Sequence, residues 1–98
     1  MSRPPKLDDA LIDVWLKEHP RWVKKDRHLV LEVPVSYPLG AALVAASVPL
    51  VEELDHHPFI TVGYDHLVVE LWTHDKDGIT QLDFTVAEFV DSFLAARS

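Results

Sequence analysis

Phe59-Ile60-Thr61-Val62-Gly63-Tyr64-Asp65-His66-Leu67-Val68-Val69-Glu70-Leu71-Trp72-Thr73-His74 is the stretch from which the fold can be read. A short β-rich run, Phe59–Gly63, meets a turn at Gly63-Tyr64-Asp65. A longer run follows in which apolar and polar residues alternate with a period of two, the mark of a half-buried strand. Leu67, Val69, Leu71 and Thr73 take one face. His66, Val68, Glu70, Trp72 and His74 take the other. A strand-turn-strand unit of this kind needs a helix or a second hairpin to cover its apolar face.

The residues on either side supply both. Upstream, Ser36 can cap a helix running from Tyr37 to Leu54, with Pro38 in its first turn, where proline is tolerated. Its middle, Ala41 to Val48, is apolar nearly all round, which calls for a second partner surface, such as another subunit. Pro49 removes one backbone hydrogen bond and predicts a kink near Ala45–Ser47, or a break into two shorter helices. Before that helix, Trp22–Lys25 and His28–Val35 read as a second strand pair around Asp26-Arg27, with Pro34 confined to a strand end or edge. In the second of these strands, Leu29, Leu31, Val33 and Val35 share one face. A first helix covers Asp9–Glu18, capped by Asp8 or Asp9, with Leu11, Val14 and Trp15, joined by Ile12, on one face at helical spacing. His19-Pro20 ends it.

Downstream, Asp75-Lys76-Asp77-Gly78 forms a loop. Thr80 then caps a last helix to Ala95, with Leu82, Val86, Phe89, Val90 and Phe93 facing the core. The expected order is α-β-β-α-β-β-α, an α+β fold with a four-stranded antiparallel sheet and helices packed on one face. Residues 1–98 are expected to form one domain, with residues 1–6 as a flexible arm.

The bulk numbers narrow the function. With 98 residues, 48% of them apolar, there is material for one core and not two. No cysteine is present, which removes disulfides, thiolate nucleophiles and thiolate metal sites. Nine basic against sixteen acidic residues give a net charge of −7, unsuited to nucleic acid. No apolar run approaches the roughly 20 residues of a membrane span, so no membrane partner is expected. The first residues carry no apolar leader, and a cytoplasmic location is the default reading.

Four of the six histidines, His56, His57, His66 and His74, fall between Glu52 and Asp83. Glu52 and Glu53 each precede a histidine, His56 and His57, by four residues. If the helix continues that far, both pairs meet on its surface. A carboxylate beside an imidazole fixes the ring and suits acid–base work near neutral pH. The alternative is a solvated helix end, where histidines meet the negative pole of the dipole. His74 ends a strand and, taken alone, reads as an ordinary surface histidine. A zinc site from His56, His57 and His74 lacks the usual ligand spacing, and no metal is expected. Asp83 lies three residues after Thr80, where a carboxylate closes a capping box. Tyr64 and Trp72 either stack on a flat ring or pack.

Taken together, Glu52, His56-His57-Pro58, Tyr64, Thr73-His74 and Asp83 resemble the pterin-4a-carbinolamine dehydratase family. The likeness continues through Gly78-Ile79-Thr80 and Val86-Ala87 and extends back to Trp22. The family fold has the same α-β-β-α-β-β-α order. The resemblance implies loss of water from 4a-hydroxytetrahydropterin to give quinonoid dihydropterin, in tetrahydrobiopterin-type cofactor recycling, with no cofactor. It makes His57 the leading acid–base residue, flanked by His56 and His74. It has Glu52 orienting His56, and leaves Asp83 either orienting a histidine or only capping its helix. His56, His57, Pro58, Thr73, His74, Asp75 and Lys76 would line the pterin pocket. A homo-dimer or homo-tetramer is implied, and some animal members also partner a transcription factor. The competing reading is a non-catalytic protein-binding or assembly module that uses the apolar second helix.

Overall fold

In the computed structural model, which describes residues 3–97, the centre of the molecule is the pairing of two strands far apart in sequence. β2 (His28–Val33) runs antiparallel to β4 (Leu67–Leu71), in a register that puts Leu29 opposite Leu71, Leu31 opposite Val69 and Val33 opposite Leu67. Alternation sends these residues to one face, and all but Val33 are at most 1% exposed. β1 (Trp22–Lys25) pairs with the outer side of β2, and β3 (Phe59–Val62) with the outer side of β4. The four antiparallel strands lie in the order β1-β2-β4-β3. β2 ends at Val33, two residues before the expected end, because Pro34 cannot donate to a ladder.

Three helices complete the core: α1 (Asp9–Glu18), α2 (Tyr37–Leu54) and α3 (Gln81–Ala95). The α+β order and the four-stranded antiparallel sheet are those expected from the sequence. The face of α1 is not. Ile12 and Trp15 are buried, whereas Leu11 and Val14 are more than half exposed. Docking on α3 decides the rotation: the Trp15 ring stacks on Phe84 at 4.6 Å, and its indole N–H donates to Glu88 at 2.9 Å. Trp22 repeats the arrangement one turn along α3, donating to Asp91 at 3.1 Å. An indole packs well only when its polar edge finds a partner, so these two bonds set the register of α3 against the N-terminal half. On α3 the buried face comprises Phe84, Val86, Ala87, Val90, Phe93 and Leu94, while Leu82 and Phe89 are half-buried.

α2 is unbroken through Pro49. The bond that proline removes would have run to the carbonyl of Ala45, and both residues are exposed, so water can satisfy the freed oxygen. Gly40, Leu43, Ser47 and Val51 form a buried stripe. Gly40 is required by proximity, since a Cβ there would lie 2.9 Å from Cγ1 of Val62 on β3. The outward face carries Tyr37, Val44 and Val48, all exposed. By length and composition alone α2 could cross a membrane. Here its buried stripe packs against the domain, and it contacts β3 and α3.

Of the flexible arm expected over residues 1–6, residues 1 and 2 lie outside the described residues, while the rest of the segment before α1 is tied to the body. Leu7 N–H donates to Ile79 O at 2.8 Å, the Lys6 stem covers Gly78, and Arg3 reaches the end of α2.

Candidate active site

The end of α2 decides where the first two histidines point. Asp55 takes a left-handed conformation (φ 49°, ψ 47°), and the N–H of His56 returns to Val51 O at 3.0 Å. This is a left-handed helix stop with aspartate in the place glycine usually takes. The helix therefore ends at Leu54, before the histidines. Beyond the stop the chain extends into β3, so consecutive side chains point to opposite sides. His56 turns inward and is 6% exposed; His57 turns outward.

His56 meets Asp83, with Nε2 2.6 Å from Oδ1. Asp83 is fully buried in the first turn of α3. Its second oxygen accepts from the Thr80 N–H at 2.9 Å, which closes the capping box, and from the Thr73 hydroxyl at 2.9 Å. Thr73 Oγ1 and Thr80 Oγ1 are 2.8 Å apart. Because the Thr73 hydrogen goes to Asp83, Thr80 is the donor in that pair, while its oxygen accepts from Leu82 N–H. Every partner of Asp83 brings a hydrogen, which suits an acceptor-only carboxylate and makes Nε2 the protonated nitrogen of His56. A network with no unsatisfied member in a dry interior is rigid. One oxygen of Asp83 thus meets His56 while the other caps α3.

Glu52 does not orient His56. It pairs with Nε2 of His57. The α-helical spacing that would have joined residues 52 and 56 is lost at Asp55, and the left-handed turn brings the next residue round instead. Both members of this pair are largely exposed.

His74 arrives from the other side. β4 stops at Leu71, and Thr73 and Gly78 close a short bridge around a 3-10 turn, His74–Lys76. Asp77 ends the turn in a left-handed conformation, φ 51°. His74 is exposed, and its imidazole makes no hydrogen bond or ion pair among the described residues.

His56, His57 and His74 line one concavity of about 310 Å³, together with Arg3, Asp55, Phe59, Trp72 and Asp75. Arg3 spans its mouth, 3.7 Å from Asp55 and 3.8 Å from Asp75, and donates to Leu54 O at 3.4 Å. Of the residues expected to line a pocket, Pro58 and Lys76 stand outside this lining, and Thr73 lies beneath it as a support for Asp83. Tyr64 is 89% exposed in the β3–β4 turn, at the far end of β3 from the histidines. Arg3, Asp55 and Phe59 carry no sequence signal of their own. Trp72 had one, but with packing as its competing explanation.

A larger concavity of about 650 Å³ opens around Lys6, Ile12, Lys24, Arg27 and Asp77. Its Asp9 and Asp77 are paired with Lys24 and Arg27, and its one imidazole, His28, is paired with Glu70. The smaller concavity is the chemical one: it combines three imidazoles, one of them braced by a buried carboxylate. Among the described residues no three histidine or carboxylate groups converge as metal ligands.

Residues 5–93 match the family model described as pterin 4 alpha carbinolamine dehydratase. The chain belongs to the pterin-4a-carbinolamine dehydratase family. Its similarity to family members runs nearly end to end. A Chloroflexus aurantiacus protein named "Putative pterin-4-alpha-carbinolamine dehydratase" is 31% identical over 92% of this chain and 98% of its own. Proteins of the same name from Metallosphaera sedula and Thermomicrobium roseum are 33% and 37% identical, over 89% and 84% of this chain and 92% and 89% of theirs. The crystal structure of a transcriptional coactivator/pterin dehydratase from Brucella melitensis superposes with a TM-score of 0.83 at 24% identity, covering 90% of this chain and 97% of that one. The α+β architecture is therefore the pterin dehydratase fold.

Proposed function

We propose that this chain is a 4a-hydroxytetrahydropterin dehydratase, working by histidine acid–base catalysis in tetrahydrobiopterin-type cofactor recycling. In the reaction N5 gives up its proton, the C4a–O bond breaks, and a C4a=N5 double bond forms as the hydroxyl leaves as water. Electrons and atoms balance without an oxidant or a group carrier. The task is to take a proton at N5 and deliver one at the 4a-oxygen, which two imidazoles near neutral pH can do.

The observation that carries this reading is the convergence of His56, His57 and His74 on one concavity, with His56 fixed by Asp83. His57, exposed and paired with Glu52, is the leading proton carrier. His74, which lines the same concavity, shares the transfer. His56, its Nε2 occupied by Asp83, orients the ring. The test is stopped-flow dehydration of synthetic 4a-hydroxytetrahydropterin. Wild type accelerates water loss above the buffer rate, and His57→Ala and His74→Ala lose most of that acceleration. A wild-type rate equal to buffer removes the dehydratase reading.

A second reading has its own observation. The outward face of α2 presents Tyr37, Val44 and Val48 to solvent, and a contiguous apolar face of this kind marks an assembly surface. The similar Brucella melitensis protein is described as a coactivator as well as a dehydratase. A homo-dimer or homo-tetramer built on α2 accommodates both readings. Sizing chromatography of Ala45→Glu tests it: a drop in oligomer size supports assembly through α2.

A further inference from the structure

Among the described residues, Phe59 and Trp72 are the only ones lining the histidine concavity with neither charge nor imidazole. Each is tied to one of the histidine segments. Phe59 follows His56-His57-Pro58, and Trp72 precedes Thr73-His74. Their ring centroids are 4.9 Å apart at 46°. Phe59 keeps 63% of its surface exposed, although it begins a strand of the sheet. Behind Trp72 stands His28 of β2, stacked on it at 3.9 Å with the planes within 8°. Nδ1 of His28 pairs with Glu70 of β4, which is the register partner of Phe59. One row of rings thus runs from β2, past the end of β4, to β3 on the face of the sheet away from the main core, and it ends at the concavity.

The row leaves an apolar surface where the charged and imidazole side chains give way to carbon. Trp72 has one face occupied by His28. Phe59 leans on Trp72 and presents the rest of its ring outward. An exposed aromatic ring at a concave site, held at a fixed tilt, offers offset stacking to a flat heterocycle. We propose that Phe59 and Trp72 form the binding wall for the flat, conjugated N1–C2–N3–C4 part of the substrate's pyrimidine half, with Phe59 as the stacking surface and His28 as a positioning residue that sets the plane of Trp72. This rests on the dehydratase reading for the identity of the heterocycle. The wall grips the ring face and is indifferent to the pterin side chain, while the histidines act at N5 and C4a.

The test uses the whole chain and two measurements: equilibrium binding of a non-reacting 7,8-dihydropterin by calorimetry, and the steady-state dehydration constants. Phe59 is exposed, so Phe59→Leu is expected to fold normally. It raises Kd and KM by about fivefold or more, with a much smaller change in kcat. His28→Ala raises KM in the same direction, and His28→Phe, which restores a flat ring against Trp72, recovers most of the loss. A merely structural His28 would lower stability without this split or this recovery. If wild type binds and dehydrates while Phe59→Leu keeps Kd and KM within twofold, the wall proposal is overturned and the dehydratase reading stands. If wild type binds dihydropterin without dehydrating, the dehydratase reading falls, and the Kd of Phe59→Leu still decides the wall. If wild type does neither, both fall.

Discussion

Nε2 of His56 lies 2.6 Å from Oδ1 of Asp83, and the other oxygen of the same carboxylate caps α3 through the Thr80 N–H. One buried side chain thus ties the end of α2, the start of α3 and, through Thr73, the end of β4. The site is held by the same bonds that hold the fold together.

Asp83→Asn keeps the shape but puts an NH2 where an oxygen accepted. Either the Thr73–Thr80 side then faces a donor with a donor, or the NH2 faces His56 and forces its ring into the other tautomer. The variant is expected to lose about 1–3 kcal/mol of stability and at least about tenfold in kcat/KM. Urea unfolding and turnover measure the two losses. Wild-type values in both would show that the network is ornamental.

Glu52→Gln should behave differently. Glu52 and His57 are both largely exposed, and such pairs contribute about 0–1 kcal/mol. The melting temperature is expected to stay near wild type while kcat falls, because His57 loses the group that orients it. A stability loss as large as that of Asp83→Asn would contradict this division between a braced and a free histidine.

Gly40→Ala sets helix propensity against packing. The substitution is worth about 1 kcal/mol in a helix interior, whereas a methyl 2.9 Å from Val62 overpacks the α2–β3 contact at about 1–3 kcal/mol. The net expectation is destabilisation, and Val62→Ala in the same chain should relieve it. A double-mutant cycle that gives no coupling would place the close approach elsewhere.

Ile12→Ala and Leu11→Ala differ by one position and, on the observed rotation of α1, by several-fold in cost. Ile12 is 3% exposed and Leu11 55%. The first should lose about 2–5 kcal/mol, the second at most about 0.5 kcal/mol. Equal losses would mean that α1 docks on the face the sequence suggested.

That rotation marks a limit of reading from sequence. The elements were legible because their signals are local: Ser36 and Thr80 at helix starts, Pro34 at a strand end, strict alternation from Leu67 to Leu71. The face of α1 was not, since Leu11, Ile12, Val14 and Trp15 all suit an apolar stripe and only the Trp15 contacts with Phe84 and Glu88 choose among them. At the site, the His56–His57–His74 set was legible as a family pattern. The partner of Glu52 was not, because a left-handed Asp55 breaks the four-residue spacing on which the inference rested. For Asp83 the sequence offered two roles as alternatives, although a carboxylate has two oxygens, and here one meets His56 while the other caps α3. Arg3 enters the concavity through tertiary placement alone.

The most direct measurement is the pre-steady-state rate of water loss from 4a-hydroxytetrahydropterin, with wild type, His57→Ala and His74→Ala matched for folding by circular dichroism. General acid–base groups contribute about a hundredfold or more each. Wild type should exceed the buffer rate by a wide margin, and each variant should lose most of that margin while keeping the wild-type melting temperature. A folded wild type no faster than buffer, or folded variants as fast as wild type, would contradict the assignment of dehydration to these histidines.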